Sequence, residues 1–187
     1  MHKAAIQDLV RLYLLRFPLE QETTKLFSSF LSEATDDNLF SRKNFGGHIT
    51  TSAFIVNDAR TELLLLRHKV LDKWLQPGGH VELDDSLLAS ALREAEEETG
   101  IPKIQLHHLP VHQVADVPFD IDSHYIPANA KKKEEAHYHH DLRYLFVYNG
   151  PPAVRYNIEE ATGMKWVKLK DLERDAMFAS VVNKMSG

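Results

Sequence analysis

Apolar positions along this chain change their period, and the changes mark its elements. Residues 2–16 carry Ile6, Leu9, Val10, Leu12, Tyr13 and Leu14 at helical spacing. Pro18 follows where a first helical turn tolerates it. A second helix is expected to run to about Ala34, with Leu26, Phe27, Phe30 and Leu31 buried. The pair predicts a helical hairpin ending near Asn44–Gly47, an N-terminal appendage over residues 1–45. It could cap the core, shape a pocket or make a dimer, and packing is the plainest role. From Ile49 the pattern becomes that of strands. Ile49–Asn57 and Glu62–His68 predict a hairpin through Asp58–Arg60, and Leu63 to Leu66 run apolar without a break, as in a strand covered on both faces. Trp74-Leu-Gln-Pro then leads into a glycine turn. Beyond a helix through the nineties, Ile104–Val117 is expected to be extended and Pro118–Glu135 a long loop. His137–Tyr148 reads as a strand, Met164–Leu169 as a short one and Asp171–Lys184 as a closing helix. Residues 46–187 thus form the main domain.

The helix after the glycine turn carries unusual charge. Glu94, Glu97 and Glu98 stand at i, i+3 and i+4, so their side chains are neighbours on one face. Like charges at i, i+4 repel, at roughly 0.2–0.5 kcal/mol per pair. A divalent cation turns that repulsion into coordination, and hard oxygen ligands suit magnesium or manganese. The rest of the segment is built for a helix against a sheet. Asp84, Asp85 and Ser86 are N-cap candidates, Leu87, Leu88, Ala91, Leu92 and Ala95 make an apolar stripe, and Gly100 suits the left-handed residue at a helix end. Glu96 points away from Glu94 and is expected in solvent. A merely solvated acidic face explains Glu96 but not the glycines, the arginine and the paired glutamates together.

Gly79 to Ile101 resembles the Nudix box, Gly-x5-Glu-x7-Arg-Glu-U-x-Glu-Glu-x-Gly-U with U a bulky aliphatic. Gly79 takes the leading position, Arg93 and Glu94 the central pair, Glu97 and Glu98 the paired glutamates, and Gly100 and Ile101 the close. Asp85 stands for the first motif glutamate, one methylene shorter, and the small Ala95 for the first aliphatic. The resemblance implies a Nudix hydrolase with an α/β fold: a Nudix-type α/β/α sandwich with a mixed β-sheet, here preceded by the helical hairpin. It implies Mg2+ or Mn2+ as cofactor, held by Glu94, Glu97, Glu98 and a backbone carbonyl at Gly78 or Gly79. The implied reaction is hydrolysis of a pyrophosphate bond in a nucleoside diphosphate linked to another moiety, by metal-activated water attack on phosphorus. Arg93 would fix a carboxylate by a salt bridge. Arg67 and Lys73 are expected to hold outer phosphates, and His80 to touch substrate. The alternative is a non-catalytic Nudix module that binds or senses a nucleotide, for which Asp85 leaves an opening.

A second constellation lies on the expected strand His137–Tyr148. His137, His139, Asp141 and Arg143 alternate, so they share a face. His137, His139 and Asp141 form a possible second site for a transition metal such as zinc, or line a phosphate pocket. Equally, they form a polar sheet face stacked on Tyr125 or Trp74, since 11 histidines make clustering easy. His124 is a weaker candidate, and Lys131-Lys-Lys-Glu-Glu reads as a solvated charge run.

Composition narrows the function. The net charge of −5 and the lack of an extended basic patch argue against nucleic acid as partner, mRNA caps included. No apolar run is long enough to span a membrane, and the N-terminus lacks a signal-peptide core, so the expected setting is cytoplasmic. The absence of cysteine excludes thiol catalysis, and with it the isopentenyl-diphosphate isomerases of the same fold. The expected partner is a small-molecule diphosphate. The sequence leaves the oligomeric state open; the resemblance makes a homodimer possible, since many Nudix relatives form one.

Overall fold

A computed structural model describes residues 1–113, 116–130, 133–151 and 155–186. Lys131 and Lys132 of the charge run, and Val114 and Ala115 of the expected extended segment, lie outside them. Five helices and eight strands follow in chain order among the described residues: α1 (Lys3–Arg16), α2 (Lys25–Glu33), β1 (His48–Asn57), β2 (Glu62–His68), β3 (Trp74–Leu75), β4 (Gly78–His80), α3 (Leu87–Thr99), β5 (Leu106–His108), β6 (Asp120–Ile126), β7 (His137–Tyr148), β8 (Ala161–Lys168), α4 (Leu169–Leu172) and α5 (Ala179–Ser186). The sheet order is β3-β2-β1-β7-β5, with β4 hydrogen-bonded to β1, β6 to β7 and β8 to β2. Two compact units comprise Met1–Thr51, Gly79–Ser90 and Pro110–Arg143, and Ser52–Gly78, Ala91–Leu109 and Tyr144–Gly187.

In the first unit, α1 buries Ile6, Val10 and Tyr13, and α2 buries Phe27 and Leu31. The expected burial of Leu26 does not occur: it is 41% exposed, because only one stripe of this short helix faces inward. The second helix is also shorter than expected. A single 3-10 turn at Pro18–Glu20 precedes it. Tyr13 is fully buried, donates its hydroxyl proton to Glu20, and has its ring 5.1 Å from that of Phe17.

The largest departure from the sequence reading is β6. Pro118–Glu135 was expected to be a loop, yet Asp120 to Ile126 pair antiparallel with Arg143 to His137. Aspartate, serine and histidine have poor strand propensity, so the pattern concealed it. The ladder is viable because Arg143 receives two of its acids: Nη1 donates to Asp120 Oδ2 (3.1 Å) and Nη2 to Asp122 Oδ2 (2.8 Å).

In the second unit, the hairpin from β1 to β2 forms as expected. Asn57 Oδ1 accepts the Thr61 N–H (2.8 Å), and Arg60 takes a positive φ of 53°. Leu63, Leu64, Leu65 and Leu66 are at most 3% exposed on a strand flanked by β3 and β8. Burial of each such side chain is worth about 1.5–3 kcal/mol. Among the described residues, the expected extended run from Ile104 holds only the end of a 3-10 turn and the three residues of β5, paired with β7. The closing helix is broken into α4 and α5. Asp175 is the reason: its side chain accepts the Met177 N–H (2.9 Å), a local bond that competes with a continuous helix.

Candidate active site and histidine cluster

The glycines before α3 do not make a tight turn. Gly78–His80 is the short strand β4, and neither Gly78 nor Gly79 has a positive φ. Ser86 immediately precedes α3, and its Oγ accepts the Ala89 N–H (3.1 Å). Asp85, at the position of the first motif glutamate, is exposed. Leu87, Ala91 and Ala95 are buried, which fixes the rotation of the helix and leaves Arg93, Glu94, Glu97 and Glu98 off the core stripe. The helix ends at Gly100, with φ +65° and its N–H on the Glu96 carbonyl (2.8 Å).

Arg93 binds two of the carboxylates. Its Nη1 donates to Glu94 Oε1 (2.9 Å) and to Glu97 Oε2 (3.1 Å). Its side chain is only 16% exposed and that of Glu94 13%, whereas that of Glu97 is 56% exposed. Burial pushes the Glu98 carboxyl up to about 8, and the charges of Glu94 and Glu160 push the same way; a hydrogen bond from the Gly78 N–H opposes them. The Glu98 carbonyl accepts the Asn157 N–H (2.8 Å), which ties the last turn of α3 to the segment carrying Glu160. Glu160 was not singled out from the sequence, where it is only the second of two adjacent acids. Glu96 turns away, as expected, and accepts the Lys103 N–H (3.1 Å).

This donor set fits a hard divalent cation. The charges of three acids, Glu94, Glu160 and Glu97, bear on the Glu98 carboxyl, whose ionisation burial also resists, and a cation would reverse that penalty. Arg67 is exposed and binds Asp72 (2.7 Å), and Lys73 is exposed in the turn before β3.

The histidines assemble differently from the row read on one strand. His48, His80 and His139 each offer a ring nitrogen, all within 4.8 Å of one another. Ring centroids are 5.1 Å apart for His48 and His80, 4.7 Å for His48 and His139, and 5.2 Å for His80 and His139. His48 was missed in the sequence because it sits one residue before the expected start of β1. It is 1% exposed, and neither of its ring nitrogens has a hydrogen-bond partner. The Asn44 carbonyl favours its protonated form without hydrogen-bonding geometry, but burial dominates and, with the charge of His137, lowers its pKa to about 4. Burial and the surrounding imidazoles lower His139 to about 2. His137 joins the edge of the cluster, its Nε2 3.2 Å from that of His139. Asp141 is turned elsewhere: Oδ1 accepts from Thr50 (3.2 Å) and Oδ2 from Arg143 Nε (3.0 Å).

The comparisons with known proteins agree with this architecture. The NUDIX domain family profile matches residues 47–184. The chain is 32% identical over 115 residues to a probable DHNTP pyrophosphohydrolase of Lactococcus lactis subsp. cremoris, covering 62% of this chain and 63% of that protein. It is 30% identical over 133 residues to the m7GpppN-mRNA hydrolase NUDT17 of Homo sapiens, covering 65% and 38%. The chain therefore spans less than two thirds of the length of these curated relatives. Among solved structures, a binary complex of the C. elegans Ap4A hydrolase superposes with a TM-score of 0.54 at 25% identity, over 74% of this chain and 94% of that one. The fold is the expected α/β one, a mixed sheet with helices on both sides.

Proposed function

Because this chain belongs to the NUDIX domain family, we propose that it is a metal-dependent pyrophosphohydrolase acting on a small-molecule diphosphate in which a nucleoside diphosphate is linked to another moiety. The observation that carries this reading is the pairing of Glu94 and Glu97 on Arg93, with the Glu98 carboxyl on the same helix pushed up to about 8 by burial and by the charges of its acidic neighbours. Mg2+ or Mn2+ would be held by these three carboxylates. When bound, it supplies neutralisation of the pyrophosphate charge and a lowered pKa for water.

The chain's own groups do the rest. Arg93 holds the carboxylates of Glu94 and Glu97 in place by its two hydrogen bonds. The Gly78 N–H stabilises the ionised form of Glu98. One of the glutamates takes the proton from the water that attacks phosphorus, while the anhydride P–O bond breaks and the phosphate leaves. General-base help of this kind is worth ~10²–10⁴-fold. Arg67, released from Asp72, and Lys73 hold the outer phosphates.

The test is a phosphate-release screen over nucleoside diphosphate derivatives, Ap4A, a pterin triphosphate and a capped oligonucleotide, with Mg2+ or Mn2+. Glu97→Gln and Glu98→Gln are each expected to lose at least ~10²-fold in turnover while keeping the native far-UV spectrum. Full activity in either variant sinks the ligand assignment. Turnover of the capped oligonucleotide alone would overturn the expectation that nucleic acid is not a partner. A ligand recovered tightly bound but uncleaved in Mg2+ would favour a sensing module.

A further inference from the structure

We propose that His48, His80 and His139 form a binding site for one zinc-class transition-metal ion, separate in donor chemistry from the carboxylates of α3. The three residues come from β1, β4 and β7, strands joined edge to edge, since β4 and β7 are both hydrogen-bonded to β1. Backbone pairing therefore fixes the origin of every ligand, and only side-chain rotation remains free.

The geometry matches the requirement. Around a tetrahedral ion with metal–nitrogen bonds of about 2.0–2.1 Å, imidazole centroids stand about 5 Å apart and the ligand nitrogens about 3.3 Å apart. The three observed centroid separations are 4.7, 5.1 and 5.2 Å. One ring nitrogen from each lies within 4.8 Å of the others, so the three converge on a common point. A stacked polar face does not account for His48. Its two ring nitrogens are buried without a hydrogen-bond partner, and a buried polar atom left unsatisfied is costly. A metal bond repays that cost at one of them.

The surroundings support the assignment. His137 places Nδ1 against the Glu135 carbonyl (2.7 Å) and Nε2 against His139 Nε2 (3.2 Å), so it fixes the His139 ring from behind, as outer partners of metal-binding histidines do. A donor set of three imidazoles with no carboxylate suits zinc, copper or nickel and not magnesium. Three protein ligands leave a fourth position, and because His80 and His139 are half-buried while His48 is fully buried, that position opens on the His80–His139 side. It takes water or an anionic oxygen.

The test uses the full chain, stripped with EDTA and titrated with Co2+ followed visibly. One equivalent is expected to bind with the absorption of a four-coordinate ion and to be displaced by Zn2+. Glu98→Gln should keep this spectrum, whereas His80→Ala and His139→Gln should bind at least ~10-fold more weakly. If His139→Gln does not fold, His80→Ala, at a half-exposed position, decides. No four-coordinate spectrum in the native chain, an unchanged one in His80→Ala, or one lost in Glu98→Gln alone would each overturn the proposal.

Discussion

Arg143 shows how a single residue can hold a polar interior together. It is 5% exposed and serves three carboxylates, those of Asp120, Asp122 and Asp141. Arg143→Met leaves buried acids without their cation and should cost about 3–5 kcal/mol in urea unfolding. Arg143→Lys should recover little, because a point ammonium cannot reproduce a planar fork. His140 contributes to the pH dependence alongside His48 and His139. It is 1% exposed, stacked 4.4 Å from the Phe30 ring, and hydrogen-bonded through Nδ1 to Ser123 Oγ (2.8 Å). Burial first, then the charges of His48 and His124, lower its pKa to about 4 against the pull of Asp122. The unfolded chain therefore binds a proton there between about 4 and 6.5 and the folded one does not, so stability present above the ordinary imidazole range is lost as the pH falls through that window. Thermal midpoints measured from pH 7 to 4 should fall less steeply for His140→Gln than for the native chain. Parallel profiles would remove His140 from the account.

Among the elements, α3 shows the closest correspondence between pattern and structure, because its cap, its apolar stripe and its terminating glycine are all local signals. Gly100 also has a tertiary reason to be glycine: a Cβ there would lie 2.9 Å from the Arg155 carbonyl oxygen, on top of its positive φ. Gly100→Ala should destabilise by about 1–2 kcal/mol in chemical unfolding, and a neutral result would mean that the following segment simply shifts. The elements misread are those whose signal is not local. β6 is a strand because β7 offers it an arginine and a ladder, neither visible within Asp120–Ile126. The break between α4 and α5 rests on one aspartate, a residue equally common at helix starts.

At the scale of the whole molecule, metal is the variable with the largest expected effect. If the histidine site binds zinc, free Zn2+ at 100 times its Kd adds about 2.7 kcal/mol of stability, which for a chain of this size raises Tm by roughly 5–10 °C. His80→Ala should abolish that rise, and calorimetry with and without EDTA measures it. The sequence by itself determined the family resemblance, the box helix with its three glutamates and arginine, the leucine strand and the long histidine strand, because each is encoded by spacing within one element. It also showed that histidines share a face. Only the tertiary structure decided which partners they meet: His48 and His80 arrive from other strands, Asp141 turns to Thr50 and Arg143, and Glu160 adds its charge to Glu98 from more than sixty residues away. Periodicity records which side of an element a residue faces, and the pairing of elements decides what waits there.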